Sequence, residues 1–153
     1  MSRVYTVTFE QVAVSAIQDL IQIVAPSDSV VVIHEWEFGQ SSDAGDAESE
    51  QLNILVHRGS TDGSGGSAVT ARPKQIGTPA FGGTCETNNT SQSTEGTIES
   101  SHCFNVMAGI KEVYTPETRP VLSPSGRMVW ELQTAPADAI TMSGKVTFEE
   151  IGG

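Results

Sequence analysis

The residues best suited to chemistry in this chain are three histidines (His34, His57 and His102), two cysteines (Cys85 and Cys103) and a run of acids at Asp43, Asp46, Glu48 and Glu50. No two histidines stand two or four positions apart, the spacing that puts a pair of imidazoles on one metal from a single strand or helix. Each falls in a different predicted strand, which assigns them structural or surface roles. Only convergence in space, as in metal-binding jelly rolls of the cupin class, would make them a ligand set. The cysteine spacing fits no zinc pattern and reads as free buried thiols, with pairing left open if their strands are neighbours. The four carboxylates flank Gly45 and offer hard oxygens to calcium. They lack EF-hand spacing, and a solvated acidic loop is the simpler reading. Gly63-Ser64-Gly65-Gly66-Ser67 lacks the Lys-Ser/Thr ending of a phosphate cradle. No Gly-x-Ser-x-Gly nucleophile elbow occurs. Asn88-Asn89-Thr90 matches a glycosylation sequon, but no secretory leader accompanies it. The sequence thus assigns no catalytic residue, no metal ligand and no cofactor, and points to a non-enzymatic protein.

The elements that would carry these residues are strands. Arg3 to Glu10 alternates, with Tyr5, Val7 and Phe9 on one face. Gln11 to Ala25 is ambiguous: a strand at 19–25 is favoured, with a helical turn near 13–18 as the alternative. Ser29 to Gly39 is the strongest strand, with Val30, Val32, His34, Trp36 and Phe38 expected on one face and Val31, Ile33, Glu35 and Glu37 on the other. Gln51 to Arg58 alternates again. The 59–83 stretch is long, Gly-rich and irregular, with room for one edge strand at 69–74, and such loops are often functional or mobile. Short strands are expected at 84–87, 94–99, 102–107, 110–114, 127–133 and 142–151, divided by turn residues such as Pro116, Pro120 and Ser123-Pro124-Ser125-Gly126. The expectation is one all-β domain over residues 1–153. Its form is an antiparallel, jelly-roll-like sandwich of about eight or nine short strands with long loops.

Charge limits the partners. The 153-residue chain carries a formal net charge of −11. Between Arg3 and Arg58 there is no cation, while nine acids occur, from Glu10 to Glu50. Such a surface repels phosphate backbones and anionic membranes, which excludes nucleic acid and membrane as partners. It suits a basic protein surface. No apolar run approaches the roughly eighteen residues of a membrane span. The N-terminus lacks an apolar leader core, which reads as a protein kept in the cytoplasm or assembled into a particle there.

Several segments carry a resemblance. Gln40 to Glu48, Arg58-Gly59, Gly63 to Ser67, Asn88-Asn89-Thr90, Thr115 to Pro120 and Thr141 to Glu150 together resemble small proteins from structural gene clusters of tailed bacteriophages and prophages, over nearly the whole chain. The resemblance implies a virion component assembled in the bacterial host cytoplasm, most similar to capsid decoration or cement proteins. Those often form trimers at local three-fold positions of the head. It implies a homo-oligomer whose partner is the major capsid protein or another virion protein. Candidate assembly contacts are Asp43, Asp46, Glu48, Glu50, Arg72 and Lys74, within the acidic loop and the 59–83 segment. Alternatives are a tail, connector or fibre component, or a carbohydrate-binding module using Trp36, Trp130, Tyr5 or Tyr114.

Overall fold

A computed structural model describes residues 3–42 and 50–152. Asp43, Asp46 and Glu48, and most of the loop considered for calcium, lie outside the described residues. Twelve strands and no helix occupy the described residues: β1 (Arg3–Val14), β2 (Gln18–Val24), β3 (Ser29–Gln40), β4 (Gln51–His57), β5 (Ser67–Val69), β6 (Arg72–Pro73), β7 (Thr84–Asn89), β8 (Ile98–Asn105), β9 (Ile110–Val113), β10 (Val121–Leu122), β11 (Arg127–Leu132) and β12 (Ile140–Gly152). They form two packed sheets, and every pairing is antiparallel.

The first sheet runs β10-β3-β12-β1-β6, with β9 also on β3; the second runs β5-β7-β2-β11-β4-β8. Setting aside β5, β6, β7 and β10 leaves β1-β12-β3-β9 facing β2-β11-β4-β8. This is one long hairpin wound on itself: β4 pairs with β8, β3 with β9, β2 with β11 and β1 with β12. That winding is the jelly roll, so the expected all-β antiparallel sandwich is what the chain adopts. The core between the sheets holds Trp36, Trp130, Tyr5, Phe9 and Phe148, all fully buried, among aliphatic side chains.

The favoured strand at 19–25 is present as β2, while other expectations need correction for local reasons. The period-two reading of β3 breaks at His34. Glu35 pairs with Thr147 but Ile33 pairs with Phe148, so His34 is an extra residue in a bulge. Before it Val31 and Ile33 point to the core; after it Trp36 and Phe38 do. A bulge at Glu10-Gln11, with Gln11 at φ 50°, does the same in β1. It moves the core face from Tyr5, Val7 and Phe9 to Val14. This broken period is what imitated helical spacing, and residues 13–18 form no helical turn. Finally, the expected strands at 94–99 and 102–107 are one strand. Ser100 and Ser101 pair with Val56 and Leu55, so the serines continue the ladder and make no turn.

The 59–83 stretch is not a free loop. β5 extends the second sheet and β6 the first, so the chain crosses between sheets at Thr70-Ala71 and covers one side of the sandwich. The single edge strand expected at 69–74 is therefore two, on different sheets. Phe81 then packs against Tyr5 and Phe148, with ring centroids 5.5 and 4.9 Å away. The Tyr5 hydroxyl donates to the Pro79 carbonyl at 2.9 Å.

Candidate functional site

The central strands of the second sheet are buried on both faces. In β11, Met128, Trp130 and Leu132 join the core between the sheets, so Arg127, Val129 and Glu131 point away from it. Yet Val129 and Glu131 are buried, as are Leu55 and His57 on neighbouring β4. Two irregular segments form the cover. Residues 58–66 and 90–97 are bonded to each other through Ser64 and Ser91, which exchange backbone bonds at 2.9 and 3.0 Å. The Thr61 hydroxyl also donates to that of Thr94 at 2.8 Å. They are pinned to the sheet by Asp62, whose Oδ1 accepts from Gln22 at 2.9 Å and from the Arg127 Nε at 2.6 Å. The Gly63 amide donates to Gln22 at 3.1 Å.

Beneath this cover three ionisable side chains meet. Asp19 comes from β2, Glu131 from β11 and His57 from β4, which are consecutive strands of the second sheet. Each offers one ligand atom, and these atoms lie within 4.8 Å of one another. Asp19 is 1% exposed, His57 0% and Glu131 6%. The His57 Nε2 lies 3.1 Å from Glu131 Oε2. Asp19 Oδ2 accepts from the Ser93 amide at 2.7 Å. Burial pushes the Asp19 carboxyl above its ordinary range. The Ser93 amide and hydroxyl and the His57 ring pull against that rise, and the Glu131 carboxylate adds to it. Asp19 reaches Glu131 because β2 bulges at Leu20: Trp130 pairs with Ile21, but Glu131 pairs with Asp19.

The sequence reading named His57 but missed Asp19 and Glu131. The usable signal lay in Leu20-Ile21, Ile54-Leu55-Val56 and Met128-Val129-Trp130, which are apolar on both faces and so mark strands covered on both sides. The three histidines do not converge. His34 pairs with Glu149 at 3.1 Å on the first sheet, and His102 on β8 sets its ring edge-on to core Trp36 at 5.1 Å. Cys85 is buried on β7 and Cys103 exposed on β8. Four strand spacings of the second sheet separate them, roughly 19 Å, so they do not pair.

Of the proposed assembly contacts, Glu50 is engaged within the fold, its Oε2 accepting from the Ala137 amide at 2.9 Å. Arg72 and Lys74 are exposed at the β6 edge, with no ion pair among the described residues. The opposite side of the sandwich is the open edge of β8 with β9 and β10. It exposes Ile98 (53%), Val113 (61%) and Val121 (46%). Arg58 ties its two sheets together, donating to the Val121 carbonyl at 2.7 Å and to Glu99 at 3.1 Å. The aromatics considered for sugar binding are placed otherwise: Trp36, Trp130 and Tyr5 are fully buried and Tyr114 partly so.

A cleft of about 700 Å³ opens on the first sheet among β1, β12, β3 and β9, lined by Glu10, Glu37, Lys111 and Lys145. Its two lysines are paired: Lys111 and Lys145 each lie 3.4 to 3.6 Å from both Glu35 and Glu37. Burial works to raise the Glu35 carboxyl, but the two lysines outweigh it and hold the group below its ordinary value.

No protein-family model, curated protein or solved structure matches the chain.

Proposed function

We propose that this protein is a non-enzymatic structural component of a bacteriophage virion, a jelly-roll unit that associates as a trimer and decorates the capsid. The placement on a phage particle rests on the sequence resemblance. The observation that carries assembly is the open β8/β9/β10 edge. A sheet edge with exposed Ile98, Val113 and Val121 invites pairing with another chain, and symmetric association hides it. The two sides of the sandwich also differ in charge. Arg72 and Lys74 lie at the β6 edge, while Glu99 and Glu112 lie on β8 and β9. Copies joined side to side place these cations against those acids, and in the proposed trimer such a heterologous contact closes into a ring. The partner surface on the particle is the major capsid protein or a neighbouring virion protein, with no nucleic acid and no lipid.

The test is the mass of the purified chain by light scattering, followed by sedimentation with isolated phage heads. The reading expects three chains per particle in solution and retention on heads. It expects Val113→Lys with Ile98→Asp to abolish both while leaving the fold intact, since both side chains are exposed. A single-chain mass of 16.2 kDa with no retention on heads overturns it.

A further inference from the structure

The cluster beneath the 58–66 and 90–97 cover plays no part in the assembly reading, and its chemistry is that of a ligand set. Two carboxylates and one imidazole are almost completely removed from water. With both carboxylates ionised, the group carries one uncompensated negative charge beside a protonated His57 and two beside a neutral ring. Buried charge without compensation is strongly unfavourable. The nearby cation, Arg127, is already committed to Asp62 and to the Gly59 carbonyl.

A second observation points the same way. Asp19 Oδ1 has no hydrogen-bond partner among the described residues. Polar atoms buried this deeply are ordinarily satisfied. The covering segment also closes tightly on the carboxylate. A Cβ at position 63 would stand 2.8 Å from Asp19 Oδ2, and Gly63 supplies none. The 3.1 Å between His57 Nε2 and Glu131 Oε2 fits two donors sharing a metal, because ligand bonds of about 2.1 Å place neighbouring donors about 3.0 to 3.4 Å apart.

We propose that Asp19, His57 and Glu131 bind one divalent transition-metal ion of the zinc class. An imidazole with two carboxylates favours such an ion over calcium or magnesium, which take oxygen ligands in larger number. The ion takes the place of the hydrogen bond between His57 and Glu131, and its two positive charges balance two ionised carboxylates. Its role is structural. Asp19 is bonded to Ser93 and packed against Gly63, so the metal locks both covering segments onto the second sheet.

The experiment uses the full chain, stripped with a chelator and titrated with Zn²⁺, with Co²⁺ as the spectroscopic probe. The expected result is one equivalent of Zn²⁺ per chain, a visible Co²⁺ band and a Tm rise of about 5–10 °C at a hundredfold excess over Kd. Asp19→Asn keeps the Ser93 bond, so it should fold and lose affinity by about 100-fold or more, beyond what changes outside the ligand shell usually cost. His57→Gln should do the same, and His34→Gln, at the surface pair with Glu149, should bind as the parent does. Absence of stoichiometric Zn²⁺ and of a Co²⁺ band in the parent protein overturns the proposal. So does undiminished binding in Asp19→Asn, or loss of binding in His34→Gln. Because the parent's metal content decides the matter by itself, a variant that fails to fold leaves the test intact.

Discussion

Phe9 and Phe38 meet edge to face across the first sheet, ring centroids 6.4 Å apart, over a residue with no side chain. That residue is Gly144, which pairs with Phe9 on β1 and with Phe38 on β3. The Cβ of any other residue would collide with the Phe38 ring and the Glu37 carbonyl. Gly144→Ala therefore overpacks the core and should cost about 2–3 kcal/mol in urea unfolding. Gly39→Ala adds a methyl where nothing lies within 4 Å. It should change stability by under about 0.5 kcal/mol.

How far such features could be read from the chain depends on where the strand period holds. The sandwich was legible because Tyr5-Val7-Phe9 and Ile54-Val56 keep strict alternation and turn residues separate the runs. The face assignment of β3 was not, because a single bulged residue, His34, exchanges the two faces midway and leaves no mark in composition. The site was illegible for a related reason. Asp19, His57 and Glu131 are separated by long stretches of chain, and only the bulge at Leu20 brings the first beside the last. The 59–83 stretch looked mobile because Gly and Ser dominate its beginning. Its attachment depends on Asp62 and Phe81, single side chains whose partners lie on distant strands.

The ion network on the first sheet gives a pH prediction. Glu35 titrates below its ordinary value of 4.5 in the folded protein because Lys111 and Lys145 favour its charged form. A depressed carboxyl contributes stability above the unfolded-state value and loses it as pH falls through the folded-state value. Glu35→Gln should therefore cost about 0.5–1 kcal/mol at pH 7 and low salt. The difference from the parent should shrink progressively below pH 4.5, and added salt should reduce it at neutral pH. Paired urea titrations at several pH values measure this. A difference that grows on acidification contradicts the assigned pairing.

The two thiols should behave oppositely. Burial pushes the Cys85 thiol up to about 12, while Cys103 is exposed on the β8 edge. Thiolate is the reactive form. A disulfide reagent at pH 8 should label one cysteine per native chain, identified as Cys103 by peptide mapping, and two in urea. Labelling of Cys103 should also slow on assembly if the β8 edge is the contact. Rapid native labelling of Cys85 would contradict the burial described for β7.

Phe81 tests whether the 59–83 stretch is docked in the free chain or waits for a partner to order it. Its ring lies against Tyr5 and Phe148, and the Tyr5 hydroxyl holds the neighbouring Pro79 carbonyl. This contact anchors the segment after β6, where Lys74 offers trypsin a site and Pro73 shields the bond after Arg72. Cleavage requires local opening, whose frequency is set by the free energy of undocking. Phe81 is only partly buried, so Phe81→Ala should cost less than a full core truncation, about 2 kcal/mol. It should accelerate cleavage after Lys74 by roughly 10-fold or more if opening is local, since 1.4 kcal/mol is a factor of ten. The parent chain should resist trypsin at Lys74 even as a monomer. Rapid cleavage there in the parent, unchanged by Phe81→Ala, would instead mean that the segment is undocked until a partner holds it.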